Sequence, residues 1–417
     1  MLRTFIIIKE IERSNALAYP IKTAENKNVY WEEEVNGEIP ENPKPQYLRL
    51  KSESVAGTQT EITSEVKLRG RSPNEPLVGT ESSSGSVATD FPVDEYDKWF
   101  AYVFCSEWKD KKRATLKITE VMGAAGTLTI TLPDVSPVEV EVLATDTKAQ
   151  IIEKICAGNY APFVAKNYPF APDVVEFDVA GDEVLTEDTI SFDGGDSVVG
   201  EISTVLESLK EVVPSDITKT FYMLREYTQN PAKYQLFRGM KVNQLTMNCD
   251  IDSFVKMSWE LMGTNNPEKV DVSPVSLVNA LDMFKTKSLT TMKGALKVNG
   301  IPNRQSSTFE LTINNNMEST QALFEREAIE SSLGDLEITG SVTEYFTTGE
   351  LYNRAINGEK TPIEISFFDE LSKSEYKFEI MTKFSAPTED GDSKLSHTLA
   401  FNTFGNDRLR LTKRIKD

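Results

Sequence analysis

The residue types that most often carry out chemistry are few in this sequence, and their spacing fits no common reaction. A single histidine, His397, lies in the alternating sequence Ser-His-Thr-Leu-Ala-Phe, which favours an imidazole packed in or on a strand over a ligand. Cys105, Cys156 and Cys249 are odd in number and far apart, so neither a disulfide framework nor a zinc site is indicated. We expect these thiols to be reduced and to lie in the core.

Carboxylates come together in two glycine-containing segments that could in principle hold a hard cation such as calcium. Asp193 and Asp196 flank one Gly pair, and Glu389 and Asp392 flank the other segment, but neither matches the twelve-residue calcium loop. Solvated turn acids are therefore the preferred interpretation. The chain contains no GxSxG, HExxH or GxxxxGKS/T motif, so we predict no enzyme, no metal and no cofactor. A pair of acids that meets only in space, as in a glycosidase, stays open as an alternative.

The charge of the chain is strongly negative. With 45 Lys and Arg against 65 Asp and Glu, the formal net charge is −20 over 417 residues. This charge disfavours binding to a nucleic-acid backbone, because such affinity comes from Lys and Arg that displace counterions. It does not exclude a protein past which DNA slides without sticking. Positive charge is concentrated in residues 109–113 and 408–416. These residues are interpreted either as solvated charges at a linker and a strand end or as contacts between subunits.

The length of the chain suits about two or three domains, and no segment approaches the ~20 apolar residues of a membrane-spanning helix. The N-terminus lacks the pattern of a secretory signal, so we expect the chain to fold where it is made, without membrane insertion.

The first part of the chain, residues 1–112, reads as strands and turns followed by one helix. Strands are predicted at 4–9 and 61–69, a hairpin turn at Asn36 and Gly37, and a Gly/Ser-rich loop over 79–86. Over residues 94–104, apolar side chains recur at helical spacing, which predicts a core helix; these are Tyr96, Trp99, Phe100, Val103 and Phe104.

Residues 113–215, called the module below, differ from the rest of the chain in their predicted secondary structure. Strands are predicted at 115–121, 127–132, 138–143, 174–180 and 189–192, with a helix over 146–158 that ends at Gly158. The spacing of apolar residues over 205–213 predicts a second short helix. The module is therefore expected to form a small α+β unit of its own.

Residues 216–417 return to long alternating strands. These are predicted at 221–227, 241–248, 254–262, 296–298, 308–313, 336–346, 363–368, 376–381, 397–402 and 408–411, with a turn at Asn299 and Gly300. One helix is predicted between the strands 336–346 and 363–368, from a capping box of Thr347 and Glu350 to Asn357 and Gly358. The fold class is therefore mainly β, with short flanking helices and one inserted module.

The order of these segments resembles the tail tube proteins of long-tailed, siphovirus-like bacteriophages. The resemblance rests on the succession of segments 53–58, 63–71, 91–97, 222–227, 237–245, 309–315, 336–346 and 397–404. The module has no place in the basic tube fold and resembles accessory modules that phage tail proteins carry in loops. The serine-rich loop and residues 264–295 are also longer than the family leads us to expect.

The resemblance implies a structural protein rather than an enzyme. It implies a tail-tube β-sandwich or barrel with a helix at its side, six copies of which close into a ring that stacks into a hollow tube. The partners would be other copies and the tail proteins at the tube ends, while DNA passes to the host without specific binding. The location would be the virion tail, with assembly in the host cytoplasm. Residues 1–112 and 216–417 would then form the tube domain, and 113–215 would project outward.

Acidic and hydroxyl side chains on the later strands are the candidates for the lining of the bore. Polar residues alternate with apolar ones at Glu337, Thr339, Ser341, Thr343, Glu364 and Ser366. The same pattern would arise if these residues faced outside solvent. Two other functions also stay open at this point: a β-sandwich binding protein or adhesin of a phage baseplate or surface, and an acidic hydrolase with a carboxylate pair.

Overall fold

The protein is an antiparallel β-protein in which helices are short and few. A computed structural model describes residues 27–65, 74–183, 185, 190–202, 206–228, 231–281, 286–345, 349–385, 388–390, 395–405 and 408–415. Within these residues it contains 27 strands and three α-helices. The strands form open antiparallel sheets that do not close into a barrel within this part of the chain. The mainly-β fold class is therefore confirmed, while the strand predicted at 4–9 lies outside the described residues.

Five strands and one helix precede the module. They are β1 (Lys27–Glu33), β2 (Gln46–Tyr47), β3 (Ser52–Glu53), β4 (Ala56–Ile62), β5 (Leu77–Asp90) and helix α1 (Asp97–Val103). The turn at Asn36 and Gly37 is confirmed, since both residues have positive φ and Val35 and Glu38 exchange backbone hydrogen bonds of 2.9 and 3.1 Å. The strand predicted at 61–69 is wrong in its described part, because β4 ends at Ile62.

The module contains strands around one helix, and the first of these strands begins before the module, at Lys109. They are β6 (Lys109–Val121), β7 (Gly126–Thr131), β8 (Val138–Val142), α2 (Lys148–Cys156), β9 (Val164–Asn167), β10 (Val174–Ala180), β11 (Ser191–Asp193), β12 (Val198–Ile202) and β13 (Glu207–Val212). Helix α2 begins with a capping box of Thr147 and Gln150, and its C-cap is Ala157 rather than Gly158.

The rest of the chain supplies the longest strands. They are β14 (Phe221–Tyr227), β15 (Lys233–Asp250), β16 (Lys256–Gly263), β17 (Gly294–Val298), β18 (Ile301–Pro302), β19 (Ser306–Asn314), β20 (Glu318–Thr320), β21 (Glu330–Ser332), β22 (Glu337–Tyr345), β23 (Lys360–Phe368), β24 (Ser374–Phe384), β25 (Thr388–Asp390), β26 (Ser396–Thr403) and β27 (Leu409–Ile415), with helix α3 (Glu350–Asn357) between β22 and β23 and a 3-10 turn at Thr291–Lys293. The Asn299-Gly300 turn joins β17 to β18 as predicted, with both residues at positive φ.

Helix α3 begins differently from its sequence prediction. Its N-cap is Gly349, at φ +65 and without a side-chain cap, so Thr347 is not the N-cap of a capping box. Thr347 itself lies outside the described residues. The helix ends as predicted at Gly358, whose φ of +64 places it in the left-handed region that glycine adopts without a steric penalty.

The Gly/Ser-rich segment 79–86 is not a loop but the middle of strand β5. Its hydroxyls meet those of β4 across the ribbon: Thr58 lies 3.0 Å from Ser82, and Thr60 lies 3.1 Å from Thr80. On its other edge β5 pairs with β16. Pairing with a strand on each edge holds this segment in an extended conformation, although its Gly/Ser composition alone indicates a loop.

The helix predicted over 205–213 is wrong in its described part, because Glu207–Val212 form strand β13. Strand β13 lies between β6 on one side and β27 on the other, and it pairs antiparallel with both. The backbone hydrogen-bonding groups on both edges of β13 are thus paired with strands far away in the sequence. This pairing overrides the helical spacing of the apolar residues.

Two sheet layers enclose the main core. One layer has the strand order β4-β5-β16-β15-β19-β22-β26, and the other has the order β17-β23-β24-β27-β13. The layers are joined where Thr382–Phe384 of β24 pair with β26. Helix α1 lies between them, with the Phe100 ring centroid 5.3 Å from that of Trp259 on β16 and 5.8 Å from that of Phe378 on β24. This core fixes the orientation of the strands and hence of their outer faces.

The module has a hydrophobic cluster separate from the main core. Ile151, Ile152 and Ile155 of α2 are buried in it together with Leu116 of β6 and Phe177 of β10. Its strands nevertheless continue the hydrogen-bonded sheet, because β13 pairs with β27. Among the described residues, no helix has the length and apolarity needed to cross a bilayer.

Candidate functional site

The strongest candidate for a functional surface is the outer side of the layer that contains β22. The side chains on this side are the even-numbered residues 80–90 of β5, 244–250 of β15, 256–262 of β16, 308–314 of β19 and 396–402 of β26, with the odd-numbered residues 337–343 of β22. We call this set the polar face. Most of the residues between them point into the core and are buried, among them Val87, Trp259, Leu245, Leu311, Val342 and Leu399. Strand alternation thus separates an apolar side from a polar one.

Hydroxyl groups dominate the polar face because the strands are in register. One row crosses six strands through Ala88, Ser258, Thr246, Thr312, Thr339 and Asn402. Hydroxyls of neighbouring strands lie within hydrogen-bond distance, with Thr246 at 3.4 Å from Thr312 and Thr343 at 2.9 Å from Thr398. The result is a surface of short side chains held close to a rigid sheet.

The charges on the polar face are mostly negative. Its carboxylates are Asp90, Asp250, Glu260, Glu310 and Glu337, and its one basic residue among those described is Lys256. Lys256 is 2.7 Å from Asp250, and this hydrogen bond raises the pKa of Lys256, so the lysine keeps its charge but is already paired. Glu260, Glu310 and Glu337 make no ion pair with any residue that the structure describes, so their charges face solvent.

The structure separates the predicted lining residues into two groups. Glu337, Thr339, Ser341 and Thr343 lie together on the polar face. Glu364 and Ser366 lie on β23 in the other layer. Glu364 is paired with Lys297 at 2.6 Å, and Ser366 is buried opposite Lys377.

Sequence reasoning missed the rest of the polar face. The alternation of hydroxyls with apolar residues in β15 and β19 is a signal that could have found Thr246 and Thr312. The serines of β5 were assigned to a loop, and Glu260 and Glu310 can only be placed on the same face as these serines through the strand register.

A buried ion cluster joins the module to the sheet of β24 and β27. Arg113 of β6 contacts Asp178 at 2.5 Å and Glu211 at 2.6 Å, and Arg410 of β27 contacts Glu379 at 2.6 Å. Arg410 also binds Glu176 of the module. The two basic segments of the sequence therefore do not consist only of solvated or intersubunit charges, since Arg113 and Arg410 are buried and paired within the chain.

The electrostatics of this cluster keep its acids ionised. Burial acts to raise the pKa of Glu379, but the attraction of Lys377 and Arg410 outweighs it and holds the pKa at about 2. Burial likewise opposes ionisation of Glu211, yet the charges of Arg113 and Arg410 lower its pKa. The cluster is structural, since each buried acid has a basic partner.

The residues that first suggested chemistry are occupied in packing and turns. His397 is packed rather than exposed, with Nε2 3.0 Å from Oε1 of Glu344, and Glu344 also accepts a hydrogen bond from Asn303 at 3.0 Å. All three cysteines are free thiols, and Cys105 and Cys249 are buried. Asp193 accepts a hydrogen bond from the backbone N–H of Gly195 in a turn. Within the described part of the chain, no group of three His, Cys, Asp or Glu residues could hold a metal ion.

Comparison with known proteins gives one assignment. Residues 25–403 match the family model described as phage tail tube protein. The match spans both sides of the module and the whole of the polar face. No curated protein matches the chain.

Proposed function

The chain belongs to the phage tail tube protein family, and we propose that six copies close into a ring, that rings stack into a hollow tube, and that the polar face lines its bore. The family is structural, and its members are parts of the virion tail. In this proposal the tube conducts the phage genome from the capsid into the host. Assembly takes place in the host cytoplasm, with other tail proteins at the two ends of the tube.

The polar face is the observation that carries this proposal. Glu260, Glu310 and Glu337 present unpaired negative charge, and the single lysine of the face, Lys256, is held by Asp250. A DNA phosphate backbone gains affinity from free Lys and Arg, and the face offers neither in its described part. Carboxylates repel phosphates over about 10 Å at ordinary ionic strength, so DNA in a bore of this kind would slide rather than bind.

The edge of the same layer supports self-association. Strand β4 pairs with β5 on one side, and its other edge pairs with no strand among the described residues. An unpaired edge offers backbone donors and acceptors to another strand. A contact between two different surfaces of identical copies closes into a ring when the rotation between copies divides a full turn.

The module is proposed to be an accessory unit, residues 113–215, between the two parts of the tube domain at 1–112 and 216–417. Its separate hydrophobic cluster supports this division. The buried ion cluster through Arg113 and Arg410 would fix its orientation on the outside of the tube. There it could contact neighbouring rings or host surfaces, or only decorate the tube.

Negative-stain electron microscopy of the purified protein, combined with its mass from light scattering, tests the proposal. Rings of six subunits or hollow tubes with regular outward knobs are the expected result. A uniform monomer of 46.7 kDa at every concentration would contradict self-assembly. The family match does not favour the alternative of a baseplate or surface adhesin.

A further inference from the structure

We propose that Phe324 of one copy inserts into a partly apolar cavity of a second copy at the opposite end of the sheet, and that this contact stacks one ring on the next. The inference rests on the proposed assembly into a tube. Phe324 is called the knob below, and the cavity that would receive it is called the socket. Membership of the family does not identify either of them.

The knob is an aromatic side chain held in an unfavourable backbone conformation. Phe324 is 95% exposed and has φ +72, and the neighbouring Leu323 is 81% exposed. A positive φ is uncommon for any residue other than glycine and is a real outlier for a bulky one. Such outliers persist only where the surroundings enforce them, and they are concentrated at functional sites.

The surroundings of Phe324 do enforce its position. The N–H of Glu325 donates to the carbonyl of Ala322 at 3.3 Å, which closes a turn around Leu323 and Phe324. On the far side of the turn, the backbone of Glu81 accepts from Ala328 and donates to Arg326, at 3.2 and 2.7 Å. The loop is therefore tied to β5, and the phenyl ring projects from a fixed base.

Two ion pairs strengthen the base of the loop. Arg326 is 2.7 Å from Glu81, and Arg238 is 2.9 Å from Glu327. A knob that is ordered before binding loses less conformational entropy when it is buried, so its apolar area contributes more to affinity.

The socket is a cavity of about 260 Å³ between the two sheet layers, and polar residues such as Asn303 and Ser306 share its lining with apolar ones. Its apolar lining comes from Ile251, Met292, Leu296, Phe309, Ile365 and Phe367. Ile251 and Met292 are exposed at its rim, at 57% and 71%. An engineered apolar cavity of roughly 150 Å³ is large enough to hold benzene, so this cavity has room for the ring of Phe324.

Knob and socket lie at opposite ends of the same sheet layer. The loop of Phe324 is attached at Glu81 of β5 and at Thr264, directly after β16. The cavity lies beside Asp250 and Thr308, at the other ends of β15 and β19. One copy therefore cannot fill its own socket, whereas copies placed end to end in the same orientation bring the knob of one to the socket of the next. A contact of this kind repeats from copy to copy along the strands.

The proposal is tested with Phe324→Ser against Val278→Ser, because Val278 is also an exposed apolar residue, at 90%, but lines neither knob nor socket. Rings should form in both variants, while tubes in negative stain should be at least about tenfold fewer for Phe324→Ser alone, the expected effect of losing one buried phenyl group per contact. Tubes in wild-type number for Phe324→Ser would overturn the proposal.

The outcomes distinguish this inference from the proposed function. If wild-type protein forms neither rings nor tubes, the proposed function fails and this inference with it. If wild-type protein forms tubes and folded Phe324→Ser forms no rings, the contact lies within the ring, and its assignment to stacking is overturned.

A cross-linking experiment tests the pairing itself. Phe324→Cys and Met292→Cys are prepared separately in a Cys249→Ala background, because Cys249 also lines the cavity. Copper-phenanthroline, supplied as the oxidant, should remove two thiol hydrogens and form an interchain disulfide when the two variants are mixed, but in neither variant alone. Absence of this cross-link in assembled tubes would overturn the proposal.

Discussion

The guanidinium of Arg410 donates two parallel hydrogen bonds to the carboxylate of Glu176, at 2.9 and 3.0 Å, across the boundary between the last strand and the module. Such a bidentate pair fixes angle as well as distance. Both side chains are buried, and the Tyr168 ring lies over the guanidinium at 4.9 Å. The module is thus held to the sheet by an oriented contact that water does not reach.

Arg410→Met should destabilise the protein strongly. It leaves the carboxylates of Glu176 and Glu379 buried without this partner, and breaking a buried pair in this way costs about 3–5 kcal/mol. Urea unfolding followed by fluorescence measures the change. Lys256→Ala is the matched control, since it removes an exposed pair with Asp250 that is worth about 1 kcal/mol or less. Equal losses in the two variants would contradict a structural role for the cluster.

The same cluster predicts how stability depends on pH. Folding lowers the pKa of Glu379 from 4.5 to about 2 and also lowers those of Asp178 and Glu211. An acid with a depressed pKa in the folded state contributes stability above its unfolded pKa and loses it as the pH falls through the folded value. The melting temperature should therefore fall between about pH 4.5 and pH 2.

Glu379→Gln provides the control for this pH dependence. The variant cannot titrate at position 379, so its melting temperature should be lower at pH 7 and should fall less steeply in the acid range. A wild-type melting temperature that stays constant down to pH 2 would refute the prediction.

Reversing charge on the polar face should make assembled tubes retain DNA. Glu260→Lys combined with Glu310→Lys places two exposed lysines on β16 and β19, the strands on either side of β15, where phosphates would gain counterion-release affinity. Co-sedimentation with duplex DNA at low and at moderate salt measures the effect, and raising the salt should weaken the binding.

The control for charge reversal is a double variant on the module, Glu139→Lys with Glu153→Lys. Both residues are exposed, and the net charge changes by the same amount. If these tubes retain DNA equally well, net charge rather than the position on the polar face is responsible.

Gly340 of β22 should tolerate no side chain. A Cβ built there would lie 2.2 Å from the carbonyl oxygen of Glu310 and 2.4 Å from the ring of Phe401, which is buried beneath it. Gly340→Val should therefore cost at least about 1–3 kcal/mol through overpacking. Chemical denaturation measures this loss, with the neighbouring polar-face variant Ser341→Ala expected to change stability far less. Equal stability of Gly340→Val and wild type would contradict the close approach.

The alternation of apolar and polar residues identified most strands after residue 216, because most of these strands bury one face and the core then enforces a period of two. It failed where partners are distant. The apolar residues of β13 are spaced as in a helix, yet the strand is fixed by β6 and by β27, about two hundred residues later. In β5, serines and glycines signal a loop until the hydroxyls of β4 are placed beside them.

The candidate surface could be predicted only in part for a related reason. Alternation placed Thr339 and Ser341 on one side of a strand, but it carries no information about which strands are neighbours. Glu364 has the same pattern and lies in the other layer, paired with Lys297. The partners Arg113 and Asp178 are 65 residues apart, so no local pattern links them.

The hydroxyl row through Thr246 and Thr312 also has a consequence for recognition. Each hydroxyl rotates freely enough to donate in one moment and accept in the next, so the row has no fixed order of donors and acceptors. Reading a base requires a fixed order of that kind. If this face lines the bore as proposed, DNA that moves over it should be treated alike at every position, and a genome of any base composition should meet the same resistance along its whole length.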